Sequence, residues 1–182
     1  MRIFVAAELD EKVRQSILEV VGELSSRHKD GSFVSQENLH FTLKFLGDVD
    51  ESRLNDVISS IEQSIAGIMP FRLHVRGLGY FGSRQFAKVV WVGTHEGRDS
   101  MIELSKRLDS NLSKFREDEQ EPSPHITICR PRGQTSELIA DVEAMKSRDF
   151  DEMEVKGVVL KKSTLTPKGA VYEDIKTFTL CP

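Results

Sequence analysis

Residues Ile3 to Ala7 form an unbroken apolar run of strand length, the pattern of a buried β-strand. Asp10 then offers a helix N-cap, and Val13, Ile17, Val20, Val21 and Leu24 recur at helical spacing. A helix is predicted from about residue 10 to 27. A second strand spans Asn38 to Leu46, and after a turn at Asp48–Glu51 the apolar face Leu54, Val57, Ile58, Ile61 and Ile65 marks a second helix that is over before Pro70. Phe71, Leu73 and Val75 alternate with polar residues, so a strand fits. Gly77, Gly79 and Gly82 lead to a strand over Phe86–Val92, and Met101, Leu104, Leu108 and Leu112 outline a helix to about Phe115. The acidic stretch 116–121 reads as a loop. His125–Arg130 is the next strand, Leu138, Ile139, Val142 and Met145 mark a short helix, and Phe150–Val155 and Val158–Leu160 read as extended. A turn at Pro167–Gly169 precedes a last strand over Val171–Leu180.

The order is therefore βαβαβ followed by βαβαββ. No linker or low-complexity tract separates the halves, so residues 1–182 are expected to form one domain with an internal duplication, its repeat boundary near residues 79–83. The implied class is α+β: two lobes, each an antiparallel or mixed sheet with helices on the outer face, and a central groove between them. No glycine-rich phosphate loop follows the first strand, which disfavours a doubly wound nucleotide fold.

Each half carries the same tetrapeptide in its second strand. His40-Phe41-Thr42-Leu43 and His125-Ile126-Thr127-Ile128 both read His, apolar, Thr, apolar, and they lie 85 positions apart. On a strand, residues i and i+2 share a face, so each His projects with its Thr while the apolar pair packs behind. If the two strands meet about a pseudo-two-fold, two imidazoles and two hydroxyls line one cleft. An imidazole titrates near neutrality, so one can accept a proton from a nucleophile while the other donates to a leaving group. The Thr hydroxyls and a nearby cation can hold phosphoryl oxygens. Displacement at phosphorus needs its nucleophile and leaving group on opposite sides, which a two-sided cleft supplies. A duplicated strand has no packing reason to keep a titrating His in both copies.

Charge narrows the substrate. Lys and Arg total 25 against 29 Asp and Glu, a net charge of −4. A protein that coats nucleic acid usually carries a positive surplus, so an RNA-related role needs a local site gripping one end. Two cysteines, Cys129 and Cys181, form neither a disulfide framework nor a zinc pattern. This fits a reducing, cytoplasmic setting. The N-terminal apolar run is too short for a signal peptide, and no stretch reaches the length of a membrane span.

On these residues the chain resembles the 2H phosphoesterase superfamily, which is named for two His-x-Thr-x motifs. Within it, the chain is most similar to the bacterial and archaeal RNA 2′,3′-cyclic phosphodiesterases, historically called 2′-5′ RNA ligases. The likeness includes Met1–Ala6, Asn38–Gly47, Pro124–Arg130 and Ser163–Tyr172, and so runs along essentially the whole chain. Cys129 stands where a small residue such as alanine is the pattern. The resemblance implies two lobes meeting in a groove, with hydrolysis of a 2′,3′-cyclic phosphate at an RNA end to a 2′-phosphomonoester, without metal or other cofactor. It implies His125 as general base, His40 as general acid, and Thr42 and Thr127 on the phosphate; the residues alone are symmetric on this point. Reversal would join a cyclic end to a 5′-hydroxyl as a 2′-5′ linkage. The expected partners are RNA cyclic-phosphate ends, tRNA fragments among them, acted on by a monomer.

Other candidates are weaker. Arg130 or Arg132 could steer a phosphate, although strand parity puts Arg130 on the Ile128 face. Lys44 continues the His40/Thr42 parity toward the groove, and Lys161, Lys162 and Lys168 form a basic cluster at the C-terminal turn. Phe45, Tyr80, Phe81 and Tyr172 are conceivable base platforms, and Trp91 reads as core. His28, His74 and His95 lack a Thr partner and read as surface or structural. Two alternatives remain: a phosphodiesterase for a small cyclic phosphate such as ADP-ribose 1″,2″-cyclic phosphate, and a non-catalytic module that binds RNA ends.

Overall fold

A computed structural model of the chain describes residues 1–115, 122–167 and 169–181. The loop expected at 116–121 and Lys168 of the expected basic cluster lie outside the described residues. The first strand, β1 (Arg2–Glu8), precedes α1 (Glu11–Arg27), whose Asp10 carboxylate accepts from the Val13 amide as its N-cap. A short strand β2 (Gly31–Phe33), without a counterpart in the apolar pattern, and a 3-10 turn at Gln36–Asn38 lead into β3 (His40–Asp48). Then come α2 (Leu54–Ile65), β4 (Phe71–Gly82), β5 (Ala87–Thr94), α3 (Arg98–Leu112), β6 (Ile126–Pro131), α4 (Ser136–Ala144), β7 (Asp149–Val155), β8 (Gly157–Thr166) and β9 (Gly169–Thr179).

The strands form one curled antiparallel sheet in the order β7-β4-β5-β6-β3-β1-β8-β9, with β2 paired to β6. It consists of two lobes, β9-β8-β1-β3 and β6-β5-β4-β7, joined at the single pair Phe41↔Ile126. The lobes exchange strands. β4 follows the first-lobe helix α2 yet pairs in the second lobe, and β8 and β9 return to the first. The two lobes are thus interleaved along the chain, which prevents either from separating as a contiguous half.

The helices cover one face of this sheet. The apolar positions read from the pattern are buried there: Val13, Ile17, Val20, Val21 and Leu24 of α1, Val57 and Ile61 of α2, and Met101, Leu104 and Leu108 of α3. They join Phe41, Ile126 and Ile128 in one core that runs through both lobes. Helices α2 and α3 pack on each other. Ser64 makes this possible although it is buried, because its hydroxyl donates to the Ser60 carbonyl at 2.7 Å and lies 3.3 Å from that of Arg107. Among the described residues no helix is long and apolar enough to cross a membrane. The other face of the sheet, at the seam between the lobes, carries the candidate site.

Candidate active site

The antiparallel pair Phe41↔Ile126 buries both apolar residues in the core, so the polar residues on either side of each project from the opposite face. Continuing that register sets His40 opposite Thr127 and Thr42 opposite His125. The two tetrapeptides therefore meet head to tail, each histidine facing the other motif's threonine. A groove of about 780 Å³ opens here, lined by His40, Thr42, Thr127, Arg130, Arg132 and Tyr172 among others. Of the five residues singled out from the sequence, His40, Thr42, Thr127 and Arg130 line this groove, and His125 stands beside it at the seam, next before Ile126.

The imidazoles are held alike. His125 Nδ1 lies 2.6 Å from the main-chain carbonyl of Ser123, two residues before it. A carbonyl only accepts, so Nδ1 carries the proton and Nε2 of the neutral ring has a free lone pair. The Asn38 main chain, also two residues before its histidine, favours the charged form of His40, whose Nε2 lies 3.1 Å from Thr42 Oγ1. Each ring also has two aromatic neighbours. Tyr172 meets His40 edge-on with centroids 5.4 Å apart, and Phe4 lies 5.1 Å away. Phe81 meets His125 edge-on at 5.1 Å, and Trp91 lies 6.5 Å away.

These surroundings set the charge. Burial among rings disfavours the imidazolium and pushes His40 down to about 4; Glu8 opposes this shift, while Lys161 and Arg14 add to it. Burial also lowers His125, against the pull of the Ser123 carbonyl and with a smaller contribution from Arg130. Both shifts favour the uncharged imidazole at neutral pH.

Two β-bulges redistribute the cations expected from strand parity. On β3, Ala6 pairs with Thr42 but Val5 pairs with Lys44, so Leu43 is an extra residue and the alternation flips. Lys44 consequently points away from the groove and is buried in an ion pair with Asp109 of α3. This corrects the expectation that it faces the groove. On β6, Trp91 pairs with Thr127 and Val90 with Cys129, which makes Ile128 the extra residue. Both Ile128 and Cys129 are buried, and Arg130 is returned to the groove face with Thr127. Arg130 thus reaches the site that simple parity denied it. Cys129 sits in the core, its thiol pushed up to about 11 by burial. Lys161 is not a rim cation: it is 6% exposed and held between Glu8 and Asp174. Lys162 pairs with Glu173 at 3.7 Å.

Trp91 was expected in the core but lies on the groove side. A Cβ at Gly79, its cross-strand partner, would run into the indole, and one at Gly93 would come within 3.0 Å of it. The ring therefore lies flat on the sheet in space that two glycines leave open, beside His125. The glycines were the available signal. Tyr80 turns the other way and bonds Glu143 of α4 at 3.3 Å. One residue with no sequence signal, Arg14, supports His40. Arg14 donates to the carbonyls of Gln36 at 2.8 Å and Leu39 at 3.2 Å, pinning the segment that delivers the histidine, and it also binds Glu8. His28 and His74 make bonds to Asp141 and Asp149 away from the groove.

A family model described as LigT like Phosphoesterase matches residues 8–91 and again 92–172. The chain is 35% identical to the RNA 2′,3′-cyclic phosphodiesterase of Methanothermobacter thermautotrophicus, over 99% of both chains. It is also 35% identical to that of Archaeoglobus fulgidus, over 98% of this chain and 99% of the relative. Among solved structures, a crystal structure from Thermus thermophilus superposes with a TM-score of 0.82 at 27% identity, covering 99% of this chain and 98% of that one. The Escherichia coli LigT complex with 3′-AMP has the same fold, with a TM-score of 0.76 at 21% identity over 100% and 98% of the two chains.

Proposed function

The chain belongs to the LigT-like phosphoesterases of the 2H superfamily, and from that premise we propose that it opens the 2′,3′-cyclic phosphate at an RNA end to leave a 2′-phosphomonoester. The observation that carries this reading is the head-to-tail meeting of two His-x-Thr pairs at one seam. His125 is the general base: its Nε2 lone pair, freed by the Nδ1 bond to Ser123, takes a proton from water as the oxygen attacks phosphorus. The negative charge on the phosphoryl oxygens is held by the hydroxyls of Thr42 and Thr127 and by Arg130. His40 is the general acid and gives its proton to the 3′ oxygen as the phosphorus–O3′ bond breaks. The cycle ends with His125 protonated and His40 neutral, and exchange with water resets both.

An acid must hold a proton, yet burial by itself favours the neutral form of His40. The substrate supplies the difference. A phosphate charge about 4 Å from the ring is worth about 4 kcal/mol at an effective dielectric of about 20, which is roughly 3 pH units. That returns a group at about 4 to the neutral range. The same steps run backwards join a cyclic end to a 5′-hydroxyl through a 2′-5′ linkage; water, the more abundant nucleophile, favours hydrolysis. RNA fragments with cyclic ends, such as those cut from tRNA, are the substrate class.

The test is turnover of a short RNA ending in a 2′,3′-cyclic phosphate. Full-length His40→Ala and His125→Ala variants should each lose about 10²–10⁴-fold in kcat with unchanged circular dichroism, and native activity should survive EDTA. Full activity in either variant refutes the scheme, and activity restored only by added metal refutes its metal independence.

A further inference from the structure

A row of four charges adjoins His40 at the base of the groove. Arg14 Nη2 lies 3.2 Å from one Glu8 oxygen, Lys161 Nζ lies 2.5 Å from the other, and Lys161 also reaches Asp174 at 2.6 Å. Such a row adds little stability, because its two carboxylates remain open to solvent, Glu8 at 37% and Asp174 at 58% exposure. Its position suggests a different use. Glu8 is the direct cross-strand partner of His40 in the β1–β3 pair, which puts the two side chains on one face about 5 Å apart at Cβ. Lys161 is the cross-strand partner of Phe4, whose ring packs on His40.

The groups facing His40 are Glu8 from β1, Arg14 from α1, Lys161 from β8, Tyr172 from β9 and, across the seam, Thr127 and Arg130 from β6, with Asn38 and Thr42 from its own segment; Asp174 of β9 acts through Lys161. Only Glu8 adjoins the ring directly as an anion by register, and both of its oxygens are already engaged by cations. Its support for an imidazolium is therefore partial. Charge on the ring then depends on a further anion in the groove.

We propose that Glu8 and Lys161 are positioning residues that set the charge of His40 from opposite sides: Glu8 is the counter-charge of the imidazolium, and Lys161 draws that carboxylate aside so that near neutral pH the ring takes a proton only when a phosphate is present. This rests on the acid role of His40 given above. It goes further by predicting that two neighbouring substitutions act with opposite sign, which loss of packing would not produce.

The experiment is a proton titration of His40 by NMR in the histidine-labelled full chain, in saturating inorganic phosphate, alongside kcat and KM for the cyclic-phosphate RNA. In Glu8→Gln the His40 midpoint falls by roughly one pH unit. In the same variant kcat at neutral pH drops about tenfold, KM changes little and the alkaline limb of the kcat profile moves down. In Lys161→Met the midpoint and the alkaline limb move up. Should Lys161→Met fail to fold, Asp174→Asn takes its place. Lys161 then bears on Glu8 alone, and the midpoint moves down with that of Glu8→Gln. Shifts of the same sign in Glu8→Gln and Lys161→Met, or an unmoved midpoint in folded Glu8→Gln or Asp174→Asn, overturn the proposal. The titration needs no turnover. A native protein inactive on RNA with midpoints that move as stated refutes the proposed function and leaves the charge row standing; an active one with unmoved midpoints does the reverse.

Discussion

His40 is held at about 4 by burial, and an anion in the groove raises that value. The two equilibria are linked: binding of a phosphate ester takes up a proton wherever the pH lies between the free and the bound midpoints. With His125→Ala used to prevent turnover, calorimetry of a nucleoside 2′,3′-cyclic phosphate in buffers of differing ionisation heat should show uptake of about one proton near pH 5.5, consistent with a shift of roughly 3 pH units. The sign follows from the raised midpoint. Affinity is greatest below the free value, where His40 is already charged, and falls as pH climbs toward the bound value. Absence of proton uptake would mean that His40 stays neutral with substrate present and cannot be the acid. At this scale the sequence was informative about identity. The His-x-Thr spacing placed both catalytic candidates and both hydroxyls, since i and i+2 share a face over so short a run. It was misleading about Lys44 and Lys161, whose environments are made by Asp109, Glu8 and Asp174, residues distant along the chain.

The elements show where alternation stops being a guide. Leu43 and Ile128 are each one extra residue in their strands, and each bulge turns the next cation to the opposite side from the one parity assigns. A bulge is a property of a strand pair, so it is not visible in either strand alone. Trp91 illustrates the same point, because its indole occupies the groove face only where Gly79 on β4 leaves room. Gly79→Ala should therefore lift the ring, at a cost of about 1–3 kcal/mol in stability, and lower kcat by disturbing the packing around His125. Trp91 is the only tryptophan in the chain, so its fluorescence reports the displacement directly. An unchanged emission spectrum would show that the ring does not rest on Gly79. Among the described residues the apolar periodicity did foretell the four helices and the principal strands, because each buries one continuous stripe in the core. It missed β2, whose three residues are too few to show a period.

For the whole molecule, the net charge of −4 and the location of Arg130 and Arg132 on one groove argue for a grip on an RNA end rather than along its length. Each phosphate neutralised on a single strand contributes about −0.7 to the slope of log affinity against log salt. A site holding the terminal phosphate and one neighbour should give a slope of about −1.4, unchanged when the RNA is lengthened at its 5′ side. A slope that steepens with length would reveal an extended binding track.

Local spacing and hydrophobic period were enough to read the α+β class, the internal repeat and the paired motifs, because each depends on residues a few positions apart. The family resemblance rested on the same short segments. The tertiary structure decided what proximity alone decides. It exchanged strands between the lobes, joined the motifs through Phe41 and Ile126, brought Arg130 to the groove and withdrew Lys44. It also gathered Glu8, Arg14, Lys161 and Asp174 beside one imidazole. Those outcomes depend on pairing between strands far apart in sequence, and on the burial of Lys44 and Lys161 against carboxylates from other elements.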